Sequence, residues 1–205
     1  MWALVKDGQI EKVFEYPQSF RDNNGVLHPS NIFEVWTEQE LKDISVYPVE
    51  NEGAEQPSRF HVHTGYDYTF DGTKVVRTSI WTPIELEVAK ESALLTIEEW
   101  KRGHQDSTFE WNDAWWQCDQ RSRDFILGRS LDAFIAVMTL QEDYTVTFRD
   151  ADNVDHVLTA QQMIELGRAA AAHVQYWHDQ AVIKKNAVKE AEDLETLVQI
   201  LEELE

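Results

Sequence analysis

The sequence predicts an α+β protein. Its first part is β-hairpin-rich with a capped helix, and its C-terminal part is a helix, a hairpin and a long helix. Three observations carry this. Asp7-Gly8 and Asp71-Gly72 lie between short apolar runs, which is the composition of tight β-turns. Thr37 with Glu40, Thr82 with Glu85 and Thr159 with Gln162 have capping-box spacing, in which a hydroxyl and an N3 side chain satisfy each other's backbone donors. After residue 120, apolar residues recur every three or four positions, the period of a helix face. The element order does not alternate as a doubly wound α/β sheet would.

Trp2 to Val5 and Ile10 to Phe14 flank Asp7-Gly8 as the first hairpin. A loop rich in Pro, Asn and Gly follows to Ser30, and Asn31 to Trp36 then reads as a strand. Thr37 opens a short helix through about Asp43, Ser45 to Val49 is extended, and Glu50 to Pro57 is an acidic loop. Arg59 to Thr64 and Lys74 to Trp81 read as strands, with Tyr66 to Phe70 between them. Thr82 fits an N-cap and Pro83 a first helical position, where its missing N–H costs nothing. That helix would run to about Arg102 and stop at Gly103.

The small, polar stretch Gly103 to Ser107 is the expected boundary between a domain of residues 1–105 and one of residues 106–205. In the second, Thr108 to Trp111 is a short strand. A helix from about Asp119 to Met138 shows an apolar face of Leu127, Leu131, Phe134, Ile135 and Met138. Tyr144 to Arg149 and Val154 to Leu158 form a hairpin. Thr159 caps the longest helix, with Met163, Leu166, Ala170, Val174, Trp177 and Ala181 on one stripe. Leu194, Leu197, Leu201 and Leu204 repeat the stripe, either on a separate piece capped by Asp193 or on a continuation of the same helix. No internal repeat or low-complexity tract is evident.

Lys and Arg number 18 against 38 Asp and Glu, a net charge of −20. This argues against nucleic acid, whose phosphates are neutralised by Lys and Arg, and against a polybasic membrane anchor. A hydrophobic share of 42% with 8 Trp excludes a disordered acidic tail. The single Cys118 cannot form an internal disulfide, and the N-terminus has no signal-peptide pattern. No stretch is long and apolar enough to span a membrane. A soluble protein made in the cytosol is expected.

No enzyme is indicated. His61 and His63 share a strand face and begin a metal site only if Asp67 or His28 adds a third ligand; the pair alone reads as polar strand residues. Asp150 to Asp155 has calcium-loop spacing, but Asp155 and Gln161 stand where Gly and Glu are required. Glu110 and Asp113 among Trp111, Trp115 and Trp116 are the ingredients of sugar recognition, although a Trp cluster is more often a core or an interface anchor. Cys118 near Arg121 and Arg123 has no catalytic frame. No cofactor is expected.

Phe109-Glu110-Trp111, Asp119 to Ser122, the Asp152-Asn153 turn, Val157-Leu158-Thr159-Ala160, Leu166, His173 and Lys184-Lys185 occur in an order with a known counterpart. It resembles a domain of unknown function that recurs in the C-terminal part of bacteriophage tail and tail-fibre-linked proteins. The opening Met1-Trp2-Ala3-Leu4-Val5, Tyr47-Pro48-Val49 and the aromatic-flanked Asp-Gly turn are similar to phage tail-region proteins. Asn186 to Glu205, with one Lys and seven acids, departs from that pattern. The resemblance implies a structural, tail-fibre-associated adaptor in the virion, in contact with other tail or fibre proteins. A homo-oligomer is expected from the apolar stripe between Met163 and Leu204, which can pack within the fold or against identical neighbours. The interface residues expected are Trp111, Trp115, Trp116, Trp177, Leu194, Leu197, Leu201 and Leu204. A fibre-assembly chaperone and a module binding host-surface glycan are the alternatives.

Overall fold

Asp7 and Gly8, both at positive φ (52° and 79°), close the first hairpin between β1 (Trp2–Lys6) and β2 (Gln9–Phe14). Two residues at positive φ match the right-handed twist of the strands they join. The computed structural model describes residues 1–204, divided into two compact units, residues 1–84 and residues from Glu85 onward. The protein is mixed α+β, with strands concentrated in the first unit and long helices in the second.

The first unit adds β3 (Phe20–Arg21), β4 (Leu27–His28), α1 (Ile32–Val35), α2 (Glu38–Asp43), β5 (Val46–Glu52), β6 (His61–Phe70) and β7 (Val75–Pro83). Its five-stranded sheet has the order β2-β1-β5-β7-β6, antiparallel except for the parallel pair β5–β7. Because side chains alternate along a strand, β1 is buried on both faces. Leu4 packs with Phe14, Phe20, Ile32, Leu41 and Val46. Ala3 and Val5 pack on the opposite side with Val75. The Thr37–Glu40 capping box starts α2 as expected.

Three expectations fail here for physical reasons. Asn31 to Trp36 is a helical turn, with the Val35 and Trp36 N–H groups donating to the carbonyls of Asn31 and Ile32 (3.1 and 3.0 Å). Ile32 is its buried anchor. Arg59 to Thr64 and Tyr66 to Phe70 are not separate strands: His61 to Phe70 is one strand with an irregularity between His63 and Gly65. Thr82 and Pro83 cap nothing, because pairing with Val62 and His61 holds them in β7. The long helix that follows starts one turn later, behind Glu85, which makes no side-chain cap.

The second unit consists of α3 (Leu86–Gln105), β8 (Phe109–Trp111), β9 (Ala114–Trp116), α4 (Gln120–Met138), β10 (Thr145–Arg149), β11 (Asp155–Thr159), α5 (Ala160–Glu190) and α6 (Leu194–Glu202). The units divide at Ile84/Glu85, not at residue 105, because α3 packs against α5 and α6. Gly103 lies inside α3, which runs on to Gln105. The core gathers Phe109, Trp116, Cys118, Ile126, Leu158, Met163 and Leu166. The last helix is separate: Ala191 turns extended and the Asp193 carboxylate accepts from the Thr196 N–H (2.8 Å).

Two hairpin turns share one arrangement that has no hydrophobic period. Phe20-Arg21-Asp22 and Phe148-Arg149-Asp150 each open a hairpin turn, with His28 and His156 six residues after the Asp. Asp22 accepts from the Asn24 and Val26 N–H groups (both 2.9 Å) and from His28 Nε2 (3.1 Å). Asp150 accepts from the Asp152 and Val154 N–H groups (both 2.9 Å) and from His156 Nε2 (2.8 Å). The fourth turn residue, Gly25 or Asn153, has positive φ (80° or 64°), a conformation both types tolerate. The histidine bond leads the backbone bonds in holding each carboxyl below its ordinary 3.8. A stretch with calcium-loop spacing is therefore a self-satisfied turn.

Candidate functional site

The site begins at Asp119, whose carboxylate accepts from the N–H groups of Arg121 (3.0 Å) and Ser122 (3.1 Å) and from the Ser122 hydroxyl (2.7 Å). These bonds hold the Asp119 carboxyl below its usual range and fix the first turn of α4. Arg123 ties that turn to the end of α3, donating to the Gln105 carbonyl (2.9 Å), the Asp106 carboxylate (2.8 Å) and the Cys118 carbonyl. Burial pushes the Cys118 thiol up, so Arg123 does not make it a reactive thiolate.

Farther along, α4 is seated on α5 by small residues. Ser130 donates to the Met163 carbonyl (3.0 Å), and a Cβ added to Gly167 would lie 2.2 Å from the Ser130 hydroxyl oxygen. Only glycine permits this approach. The buried positions of α4 are Ile126, Ala133 and Ala136. The apolar face that the helical spacing marks is not packed inward: Leu127 (71%), Leu131 (58%), Phe134 (52%), Ile135 and Met138 (68%) are all more than half exposed. They form one stripe, since residues three and four apart are neighbours on a helix. Beside it a groove of about 280 Å³ runs between α4 and α5. Its walls are Ile126, Leu127, Gly167, Ala170, Ala171 and Val174, with Arg123 and Asp124 at the rim.

The expected interface residues are mostly elsewhere. Leu197 and Leu201 are buried, and Leu194 and Leu204 half-buried, because α6 folds back onto α3 and α5. A Lys184–Glu203 ion pair ties the end of α6 to α5, and Lys185–Glu98 ties α5 to α3. Trp116 is core, donating from Nε1 to the Trp111 carbonyl (2.9 Å), with the Trp111 and His156 rings against it. Trp177 stacks on His104 with 4.0 Å between ring centroids and meets Trp100 edge-on. Of the four tryptophans, Trp115 alone is half exposed. Asp113 sits with Asn112 in the β8–β9 turn, both at positive φ (61° and 52°).

The histidines do not converge. His28 is taken by Asp22, His61 Nδ1 lies 2.9 Å from the Ser58 hydroxyl, and His63 packs on Tyr66 and Trp81. Among the described residues no group of three or more His, Cys, Asp or Glu is arranged to hold a metal ion. No helix among them is long and apolar enough to cross a membrane. The exposed stripe was missed because its spacing matches that of a packed face. The only signal was that Ile126, Ala133 and Ala136 form a second, smaller apolar row.

Fold and surface together define an α+β protein whose most prominent feature is an uncovered apolar helix face. Residues 88–202 match the family model described as Domain of unknown function (DUF4376). The match covers more than half of the chain, from the first turn of α3 to the end of α6. The chain belongs to this family. No curated protein and no solved structure matches it.

Proposed function

We propose that the protein is a structural component of a bacteriophage tail, a tail-fibre-associated adaptor that works through protein–protein contacts. The observation that carries the contact role is the α4 stripe, five large apolar side chains each more than half in water. Monomeric proteins rarely leave apolar patches beyond a few hundred Å² exposed, and larger ones mark interaction surfaces. The setting in a tail rests on the order of motifs from Phe109 to Lys185 and on the opening Met1-Trp2-Ala3-Leu4-Val5. Its partners are other tail or fibre proteins and further copies of itself. Mass spectrometry of purified virions tests the reading. A stoichiometric signal is expected, whereas expression without incorporation rules out a tail component and leaves an assembly chaperone.

The half-exposed Trp115 ring, in register with Glu110 across the β8–β9 hairpin, favours a second reading in which the protein engages host glycan. A glycan array with Trp115→Ala as control decides it: specific binding lost in the variant supports recognition, and binding retained excludes that ring.

A further inference from the structure

The reading that the protein works by contacts leaves open what covers α4. We infer that a second copy of this chain does so, by antiparallel pairing of the two α4 helices about a two-fold axis between Leu131 and Phe134. The inference rests on the contact role above, whatever assembly the protein serves.

Spacing is the first argument. Leu127, Leu131, Phe134 and Met138 are separated by four, three and four positions, one seam of a helix pair that packs knobs into holes. The order is the same read from either end, so it complements itself when one helix is reversed. Leu131 then faces the partner's Phe134, and Leu127 faces the partner's Met138. A two-fold contact of this kind uses the same patch on both copies and closes on itself.

Area is the second argument. With Ile135, Val137 and Leu140, the seam leaves on the order of 800 Å² of apolar-residue surface in water, about what one partner contributes to a standard interface. Leu140, at 85% the most exposed of these, lies just past the end of α4. In the antiparallel pair the partner's Leu140 and Met138 come against the groove beside Leu127, whose floor of Gly167, Ala170 and Ala171 leaves room for them.

Charge is the third. At −20, two copies repel across most of their surfaces. α4 differs, with three Arg and two Asp and no charged residue within the seam. Arg129 and Asp132 already pair with each other at 3.5 Å. Two α4 helices can therefore approach without bringing acidic surfaces together.

Light scattering on the intact chain tests the inference. Wild type should give twice the 23.9 kDa chain mass. Leu131→Glu with Phe134→Glu should weaken association by about 100-fold or more, with the helical circular dichroism unchanged because both sites are exposed. A single-chain mass at every concentration overturns the inference and assigns the stripe to a different protein. A dimer that survives the double substitution overturns it as well. Orientation has its own readout. Leu127→Cys mixed with Met138→Cys should form disulfide-linked dimers and neither alone should, since Cys118 is buried. Cross-linking of Leu127→Cys to itself excludes the antiparallel pair. Loss of the tail reading in the virion experiment leaves these masses untouched, and a monomer leaves the tail reading standing.

Discussion

α4 and α6 are helices of the same unit, and they spend their large side chains differently. α6 sends Leu197, Ile200 and Leu201 into the packing with α3 and α5. α4 seats itself on α5 through Ala133, Ser130 and the bare backbone at Gly167, buries Ile126 as its one large side chain there, and keeps Leu127, Leu131, Phe134 and Met138 outside. Small residues let two helices lie close and fix their alignment, but they remove little apolar area from water. Large residues do the reverse. α6 is therefore held by burial, and α4 by alignment, which frees its apolar bulk for another contact.

That contrast is most open to attack by truncating one leucine on each helix. Leu197→Ala leaves a void among buried side chains and should cost about 2–5 kcal/mol. Leu131→Ala removes atoms already in water and should stay within about 0.5 kcal/mol of wild type. Urea denaturation at concentrations where the chain is monomeric measures both. Equal losses would mean that the α4 stripe is packed in the folded monomer and that the distinction is false.

The close seat of α4 gives the next largest effect. In Gly167→Ala the new Cβ meets the Ser130 hydroxyl at 2.2 Å. Overpacking of this kind costs about 1–3 kcal/mol, against a gain of up to about 1 kcal/mol from the better helix former. A net loss is expected, and adding Ser130→Ala should recover part of it, although the Ser130 Cβ at 2.9 Å still crowds the site. A stabilised single variant would show that α4 slides on α5 and that alignment is not what holds it.

What could be read from the sequence divides along the same line. Chemistry completed within four residues was legible: the Asp7-Gly8 turn and the Thr37 and Thr159 capping boxes form as expected, and at Asp193 the structure takes the capped one of the two readings the sequence left open. Thr82 has the same cap chemistry and loses to a strand, because its partner Val62 lies twenty positions back in the chain. The α4 and α6 stripes show why the site was harder still. Periodicity says that a helix has an apolar face, but what covers the face depends on how closely another helix approaches, and at α4 that is set by Gly167. The paired turns at Asp22 and Asp150 were hidden for a different reason. Their signal is a residue type at the first, fourth and seventh positions, and it carries no hydrophobic period.

The smallest effect expected is a pH dependence confined to one side of the contrast. The α4 seam has no titratable group, whereas the α3–α5 packing contains His173, whose Nε2 donates to the His104 carbonyl (3.0 Å). Burial holds the His173 imidazole below its ordinary 6.5, outweighing that hydrogen bond, and the charges of Arg123 and His104 add to the shift. The sign follows from which state takes up the proton first. Below 6.5 the unfolded chain protonates this histidine while the folded chain does not, so stability present above 6.5 falls as the pH drops through the folded value. His173→Gln keeps an amide donor and removes the titration. The stability advantage of wild type over the variant should therefore be largest near about pH 8 and shrink toward about pH 5, read as the difference between urea midpoints. A gap independent of pH would mean that the imidazole is hydrated in the folded chain. The α3–α5 side would then differ from the α4 side only in the size of the side chains it buries.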